Sequence, residues 1–287
     1  MQHPIYETWP YKKVLPEHVP ELIARYEGGE SARKISLDMP FAEDVALKVL
    51  RDFGVVIKTR KEVRFSEGCT LNREAFCDFN DPATAYFVGW LLTDGNIRKT
   101  KYGMSVSLEL STKDRKVLES LANYLNLGEG RIRDRSRFDS RTGNTYYTSS
   151  IAFSYGPINE RLISLGISER KSTKEIAPDA LLYNRDFWRG VLEGDGYLSK
   201  LDSCTKMQIC GSETLCHQWF DYCKSVVPEM HMTISHGRNG LFHTYSGRFE
   251  ECKSVLDSLY LGVPEHLRLE RKYNLYVGRY YDGVDPN

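Results

Sequence analysis

The sequence predicts an α+β protein in which a small all-α domain precedes two copies of one α-β-β-α-β-β-α unit. Helical periodicity dominates residues 17–57, where apolar residues recur at spacings of three and four. From residue 81 onward, a hydrophobic helix, alternating strands and further helices occur twice in the same order. The repeated unit is too long for a solenoid and indicates pseudo-twofold symmetry.

The composition limits the class of protein. The chain has 287 residues, 41% of them hydrophobic, which is enough for a sizeable core and more than one domain. The longest nearly apolar run, Tyr86 to Leu92, is too short to cross a bilayer, and the first residues lack an apolar signal segment. We therefore expect an intracellular, cytoplasmic protein without a membrane partner.

Cysteine spacing and net charge argue against two further kinds of protein, disulfide- or zinc-stabilised proteins and uniformly basic nucleic-acid binders. The seven cysteines are odd in number and lack CxxC spacing, which argues against a disulfide framework or a zinc site. The 39 basic residues equal the 39 acidic residues, which argues against a nucleic-acid binder unless the basic residues are concentrated locally.

The first predicted domain, residues 1–60, contains three short helices. Gly28 and Gly29 separate the first from the second, and Ser31 is a suitable N-cap for the second. This order resembles a helix-turn-helix, although the third helix mixes acidic with basic residues and is not a basic recognition helix. A helical packing domain is the alternative. Residues 61–80 are predicted to form a connector.

Two matched segments define the repeats, which span residues 81–180 (repeat 1) and 181–287 (repeat 2). The first segment reads FVGWLLTDG and contains Asp94, and the second reads WRGVLEGDG and contains Asp195. The two aspartates are 101 positions apart, and the strand residues that follow each motif match at the same offset. The elements predicted after the two motif helices are strands through Val106–Leu110 and Met207–Ile209, helices over 114–126 and 213–226, hairpins over 130–155 and 230–247, and closing helices before Leu165-Gly166-Ile167 and Leu261-Gly262-Val263.

Small residues in the motif helices predict close contact between them. They are Gly89 and Thr93 in the first helix and Gly190 and Gly194 in the second, and Gly89 and Gly190 are the expected interface positions. Each helix then ends in its aspartate, where the helix dipole is negative and a second carboxylate adds repulsion. A cation relieves both effects, so we expect the carboxylates to hold Mg²⁺ across a phosphodiester.

The two segments resemble the paired signature motifs of the LAGLIDADG homing endonuclease family, in its single-chain form. The resemblance extends over about residues 71–280 and implies saddle-shaped antiparallel sheets. It also implies metal-dependent hydrolysis of a double-stranded DNA site, as in intron homing, by a monomer that uses Mg²⁺ or Mn²⁺. In that family the residue at the eighth motif position binds the metal. The resemblance therefore implies that Asp94 and Asp195 are metal ligands, with the backbone carbonyls of Thr93 and Gly194 as further ligands.

Two lysines recur with the repeat. Lys171 and Lys272 each follow the motif aspartate of their repeat by 77 positions, and the resemblance implies an active-site lysine near these places. Such a lysine stabilises developing charge or organises the attacking water. A lysine that caps a helix end is the alternative. The sixth motif position departs from the family name, with Leu92 and Glu193, but this position varies within the family.

Basic residues concentrate in repeat 1, where alternating arginines predict one charged strand face that contacts DNA. The predicted DNA contacts of repeat 1 are Arg98, Lys99, Lys101, Arg131, Arg133, Arg135, Arg137 and Arg141. Repeat 2 offers fewer, namely Lys200, Lys206, Arg238, His231, His236 and His243. The alternative function is a catalytically silent protein on this fold, such as a transcription regulator or a maturase that binds intron RNA.

Overall fold

The computed structural model describes residues 10–11, 13–57, 71–101, 103–169, 173–199 and 206–287. The chain divides into two compact units, Met1–Leu71 and Asn72–Asn287. None of the helices in the described residues is long and apolar enough to span a membrane.

The described residues of the first unit form three helices: α1 (His18–Glu27), α2 (Ala32–Asp38) and α3 (Glu43–Asp52). The Ser31 hydroxyl accepts a hydrogen bond from the backbone N–H of Lys34 and caps α2, as its position before the helix predicts. Leu22, Ile35 and Leu50 are fully buried, so each helix contributes apolar residues to one core. The helices form where the periodicity of the sequence places them, and their helix-turn-helix character stays a prediction.

Repeat 1 is built on one antiparallel sheet with the strand order β1-β2-β4-β3. Its helices pack on one face of that sheet, where Val106, Leu108 and Ile151 are buried. Its elements are α4 (Pro82–Thr93), β1 (Gly95–Thr100), β2 (Gly103–Ser111), α5 (Arg115–Tyr124), β3 (Arg133–Asp139), β4 (Asn144–Phe153) and α6 (Gly156–Ser164).

Repeat 2 has the equivalent sheet order, β5-β6-β8-β7, also antiparallel. Its elements are α7 (Arg185–Asp195), β5 (Gly196–Leu198), β6 (Met207–Gly211), α8 (Glu213–Val226), β7 (Thr233–His236), β8 (Phe242–Tyr245), α9 (Phe249–Tyr260) and α10 (Glu270–Tyr280). Two antiparallel sheets with repeated flanking helices confirm the predicted fold class.

Both motif helices begin with a side-chain cap. The Asp81 carboxylate accepts hydrogen bonds from the backbone N–H groups of Ala83 and Thr84, and Pro82 occupies the first helical position of α4. Asn184 caps α7 in the same way. These caps fix the starting residue, and hence the position of the aspartate at the other end of each helix.

Two elements differ from the sequence-based expectation. The sequence predicted four arginines on one strand, but Arg131 lies in a 3-10 turn, Glu129–Arg131, before β3 begins at Arg133. Gly128 and Gly130 favour that turn, and the N–H of Arg131 donates to the carbonyl of Gly128. The terminal helix α10 was not foreseen either, because its tyrosines and charged residues give no clear apolar stripe.

Candidate active site

The motif helices α4 and α7 pack side by side through small residues. A Cβ atom on Gly89 would lie 3.0 Å from the Cα atom of Gly190, and one on Gly190 would overlap the backbone carbonyl oxygen of Tyr86. Further along, Gly194 lies against the side chain of Thr93. Because the contacts advance along both helices together, the helices run parallel and end at the same place.

Asp94 and Asp195 occupy these adjoining C-terminal ends. Asp94 is the C-cap of α4 and Asp195 is the last residue of α7, and both are exposed. A Cβ atom on Gly194 would lie 2.9 Å from Oδ2 of Asp94, so the glycine leaves room for this carboxylate beside α7. The two acids share the negative ends of two helix dipoles, which favours a bound cation.

The donor set around these acids suits a hard divalent cation. Mg²⁺ prefers oxygen donors, and it usually combines one or two carboxylates with water and phosphate oxygens. The carbonyl groups of Thr93 and Gly194 belong to the last turns of their helices, where carbonyls lack intrahelical partners. In the part of the chain that the structure describes, no cluster of three or more His, Cys, Asp or Glu residues is placed to hold a metal ion. The two carboxylates and the two carbonyl groups fit a site that phosphate oxygens and water complete.

A cleft of about 370 Å³ opens beside Asp94. Its lining includes Glu109 from β2, Asp114 from the turn that follows β2, and Arg271 from α10. The sequence analysis did not select these three residues. They are distant along the chain, and only the placement of α10 brings Arg271 to Asp114.

Lys272 projects from α10 beneath the end of α7. Its ammonium group donates hydrogen bonds to the carbonyl oxygens of Leu192, Glu193 and Gly196, at 2.7, 2.8 and 2.6 Å. Lys272 is 3% exposed, and burial lowers its pKa to about 8. Donation to three carbonyl oxygens uses all three hydrogens of the ammonium form. The lysine therefore holds the backbone that carries Asp195. This contact resembles the alternative of a lysine that caps a helix end, because the ammonium group is buried against the carbonyl oxygens. Its counterpart Lys171 lies outside the described residues.

A buried polar network crosses the interface between the motif helices. The hydroxyl of Tyr86 donates to the carboxylate of Glu193 at 2.6 Å, and burial raises the pKa of Glu193. Arg189, which is fully buried, donates to Asp186 at 2.6 Å and to the carbonyl oxygen of Leu267 at 2.8 Å. Its guanidinium group also lies over the ring of Tyr86. The network joins α4 to α7 directly below the aspartates.

The strand register of repeat 1 places its arginines on one exposed face. Ser150 pairs with Arg133 on one side and with Glu109 on the other, so these side chains share a face. Because Glu109 also lines the cleft, that face leads to Asp94. The arginines on this face are Arg98, Arg133, Arg135 and Arg137, all exposed.

The other basic residues predicted for repeat 1 do not share this strand face. Lys99 adjoins Arg98 on β1 and therefore points to the opposite side of the sheet. Lys101 lies in the turn between β1 and β2, and Arg141 lies in the turn between β3 and β4, 3.4 Å from Asp139. Arg131 precedes the strand.

The equivalent face of repeat 2 is neutral and partly aromatic. Register places Tyr197, Gln208, Cys210, His243 and Tyr245 on it. The side-chain amide of Gln208 lies 3.0 Å from Nδ1 of His243. The ammonium of Lys206 lies 5.7 Å from the centre of the Tyr197 ring and 5.4 Å from that of Tyr245.

The remaining basic residues predicted for repeat 2 are dispersed. His236 stacks edge-on against Phe242 on the opposite face of the sheet, and Arg238 lies in the turn between β7 and β8. His231 is 2.8 Å from Glu251, away from the strand face. Lys200 lies outside the described residues.

Cys210 takes the place in repeat 2 that Glu109 holds in repeat 1, at the same offset of 101 positions. Both residues lie on the face of the second strand that leads to the motif aspartate. Burial raises the pKa of the Cys210 thiol, and the negative charge of Asp195 adds to this effect. The environments of the two aspartates therefore differ, although their helices match.

No family model and no curated protein matches this sequence. Among solved structures, the homing endonuclease I-WcaI bound to its DNA recognition sequence is 12% identical, covers 82% of this chain and 94% of its own, and gives a TM-score of 0.46. The N-terminal LAGLIDADG domain of DUF199/WhiA is 14% identical over 71% of this chain and 93% of its own, with a TM-score of 0.44. The I-SmaMI LAGLIDADG homing endonuclease bound to cleaved DNA is 14% identical over 71% and 88%, with a TM-score of 0.44. Similarity at this level leaves the reaction of this chain to be inferred from its own residues.

Proposed function

We propose that this chain is a site-specific endonuclease that hydrolyses both strands of a DNA duplex with divalent metal ions, Mg²⁺ or Mn²⁺. One observation carries the proposal: two parallel helices end side by side in exposed Asp94 and Asp195. The cleft beside Asp94 continues onto a sheet face that bears four arginines. Paired carboxylates for a metal, next to cationic side chains for phosphates, are the components that phosphodiester hydrolysis requires.

The residues have distinct roles in this proposal. Asp94 and Asp195, with the carbonyl oxygens of Thr93 and Gly194, hold the metal. When bound, the metal supplies Lewis-acid stabilisation of the phosphate and lowers the pKa of a bound water. Lys272 holds the carbonyl groups around Asp195 in place. A divalent cation neutralises the two carboxylates, which otherwise repel both each other and the DNA.

The sheet faces provide the binding surface for DNA. A strand rises by about 3.3 Å per residue, close to the spacing of base pairs, so a strand that follows a groove presents side chains in step with the bases. Arginines on alternate positions of β3 then meet phosphates and guanine edges. Because both repeats belong to one chain, a monomer covers both halves of the DNA site.

A cleavage selection tests the proposal. The purified chain is incubated with Mg²⁺ and circular plasmids that carry randomised inserts, and linear products are recovered and sequenced. The expected result is enrichment of one long, partly asymmetric site, cut in both strands, with no linear product from Asp94→Asn or Asp195→Asn. Binding to a selected duplex without cleavage in Mg²⁺ or Mn²⁺ would contradict the proposal and favour a silent DNA-binding protein. Binding to structured RNA alone would favour a maturase.

A further inference from the structure

Arg271 and Asp114 form an ion pair at the cleft beside Asp94. Nε of Arg271 donates to both carboxylate oxygens of Asp114, at 2.9 and 3.2 Å, and Nη2 donates to Oδ2 at 3.0 Å. Asp114 is 8% exposed and sits at the end of the turn that follows β2. A carboxylate fixed in repeat 1 thus orients a guanidinium group from repeat 2.

This ion pair leaves part of the guanidinium group accessible. The side chain of Arg271 is 52% exposed. Within the described residues, Nη1 makes no hydrogen bond to an acceptor. An arginine that is held at one edge and open at the other is suited to bind a further oxyanion, because its planar fork is already positioned.

The charge of the cleft limits where a phosphate can bind. Asp94, Glu109, Asp114 and Glu193 are the acidic residues of the lining and repel an anion, and Arg271 is the single cationic residue among the described residues that line the cleft. The neighbouring Lys272 is buried, and its ammonium hydrogens are directed to backbone carbonyls. Apart from a metal ion at Asp94, Arg271 is the only positive charge in the described lining that can meet a phosphate.

We propose that Nη1 of Arg271 binds a non-bridging oxygen of the phosphodiester that is cut beside Asp94, and that it stabilises the charge that develops there during hydrolysis. This inference rests on the proposed nuclease function. It assigns the phosphate-contacting role to Arg271, with Asp114 as the positioning residue. Lys272 instead supports the helix end.

The anchoring residue is not repeated, and Arg170, the counterpart of Arg271, lies outside the described residues. At the offset of 101 positions, the counterpart of Asp114 is Leu215, a fully buried apolar residue. The anchoring carboxylate is therefore absent from the equivalent position in repeat 2. Arg271 is accordingly expected to act on one of the two strands.

The test measures the cleavage rate of each strand separately. A duplex carrying the site recovered by the cleavage selection is labelled with a different fluorophore on each strand, and single-turnover rates are measured in Mg²⁺. Arg271→Ala is expected to slow one strand on the order of 10²-fold, as loss of one transition-state hydrogen-bond donor does. The other strand is expected to change less than about threefold, so nicked duplex accumulates. Duplex affinity without metal should stay within about threefold.

Three further variants identify the cause. Asp114→Asn, which keeps the shape of the side chain, should slow the same strand by a smaller factor. Arg271→Lys, which keeps the charge without the two-point contact, should give an intermediate rate on that strand. Arg248→Ala is the matched control, because Arg248 is an exposed arginine paired with Glu251, away from the cleft.

The outcomes separate the two proposals. If the wild-type chain cuts its site but Arg271→Ala slows both strands equally, or neither, the phosphate-binding role of Arg271 is wrong. Thermal unfolding midpoints show whether an equal loss of cleavage on both strands comes from misfolding of Arg271→Ala. In that case Asp114→Asn provides the test. If the ratio of the two strand-cleavage rates is unchanged in Asp114→Asn, the inference is also rejected. If the wild-type chain cuts no duplex in the selection, the nuclease proposal itself fails.

Discussion

The two repeats share one backbone plan but present different side chains to the expected DNA surface. The sheet of repeat 1 carries Arg133, Arg135 and Arg137 on alternate positions of its edge strand β3. The equivalent face in repeat 2 presents Gln208 and His243, together with tyrosines and a cysteine. The two repeats have the same sheet order but a different charge on the exposed face, which suits a DNA site whose two halves differ in sequence.

The motif helices differ in a second way. In α4 every residue from Thr84 to Leu92 is buried and uncharged. In α7 the same interface contains Arg189 and Glu193, where α4 has Val88 and Leu92. Both helices have the contacting glycine and the terminal aspartate, so these features set the geometry of the site. The charged residues of the buried network belong to α7 alone.

The strongest expected effect concerns the feature that the repeats share. Asp94→Asn and Asp195→Asn each remove one carboxylate charge with little change in shape. Each is expected to abolish double-strand cleavage while DNA affinity is largely kept, because these acids bind metal and not bases. Plasmid cleavage in Mg²⁺ and binding of the labelled duplex measure the two properties. Near wild-type double-strand cleavage by either variant would remove that aspartate from the metal site.

Close helix contact is the next feature to test. Gly89→Ala and Gly190→Ala each place a methyl group against the backbone of the other helix, and we expect each to destabilise the fold by about 1–3 kcal/mol or more. Gly278→Ala is the matched control, since a Cβ atom there meets nothing within 4 Å in α10, and it should raise stability by about 0.5–1 kcal/mol. Urea unfolding monitored by circular dichroism measures all three variants. Equal stability of Gly190→Ala and wild type would contradict the described packing.

The charge difference between the sheets gives an effect on binding. Arg133→Ala or Arg135→Ala is expected to weaken specific binding by about 1–3 kcal/mol if the arginine reads a guanine. An arginine that contacts a phosphate instead lowers the dependence of log K on log salt by about one unit. Gln208→Ala in repeat 2 is the control, and it should leave the salt dependence unchanged. Affinity titrations at several salt concentrations distinguish these cases, and unchanged binding in both arginine variants would exclude β3 from the interface.

The selected DNA site sharpens the same comparison. Arginines two residues apart on a strand are about 6.6 Å apart, roughly two base-pair steps. We therefore expect guanines to be enriched at about every second position in the half-site of repeat 1. Gln208 favours an adenine contact, and the absence of arginines from this described face favours a less guanine-rich half-site for repeat 2. Equal guanine enrichment in both halves would show that the arginines do not account for sequence preference.

The buried network yields a dependence of stability on pH. Because burial raises the pKa of Glu193 in the folded chain, the folded state holds this proton more tightly than the unfolded state. The resulting stability is present below the unfolded pKa and is lost as pH rises through the folded pKa. Glu193→Gln should therefore unfold at a higher temperature than wild type near neutral pH, and the difference should shrink toward about pH 4.

An exposed acid provides the comparison for that measurement. Glu229 follows α8 and is exposed, so Glu229→Gln is the control for loss of one carboxylate outside the buried network. Thermal midpoints of the three proteins across that pH range decide the matter. A difference between Glu193→Gln and wild type that does not change with pH would mean that the carboxyl group does not titrate in this range.

Local signals account for most of the fold that the sequence predicts. The helix predicted over 213–226 occupies those residues, because Ser212 caps it and Leu215 and Trp219 lie on one stripe. The predicted arginine strand begins two residues before the observed strand, because the glycines at that point favour a turn. Period and capping are local properties, so the sequence contains them even without knowledge of the tertiary structure.

Local sequence signals predict less of the candidate active site than of the fold. Asp94 and Asp195 are marked by a repeated motif, and the placement of both at the ends of packed parallel helices follows from the small residues of α4 and α7. The contact between Arg271 and Asp114 has no local signal, because its partners are far apart in sequence. The burial of Lys272 depends on α10, which the pattern did not predict.

The smallest expected effect concerns the first unit, which precedes both repeats in the sequence. A chain shortened to residues 72–287 is expected to fold and to keep its cleavage rate at saturating protein, because the aspartates, Lys272 and the arginine face belong to the second unit. Residues 1–60 contain nine basic and nine acidic residues, so their long-range attraction for DNA is modest. Their helix-turn-helix-like pattern still leads us to expect a few added contacts at one end of the site, and slightly weaker binding without them. Footprinting of the full and shortened chains on the selected duplex measures this. Identical footprints and affinities would make the first unit a packing or partner-binding element instead.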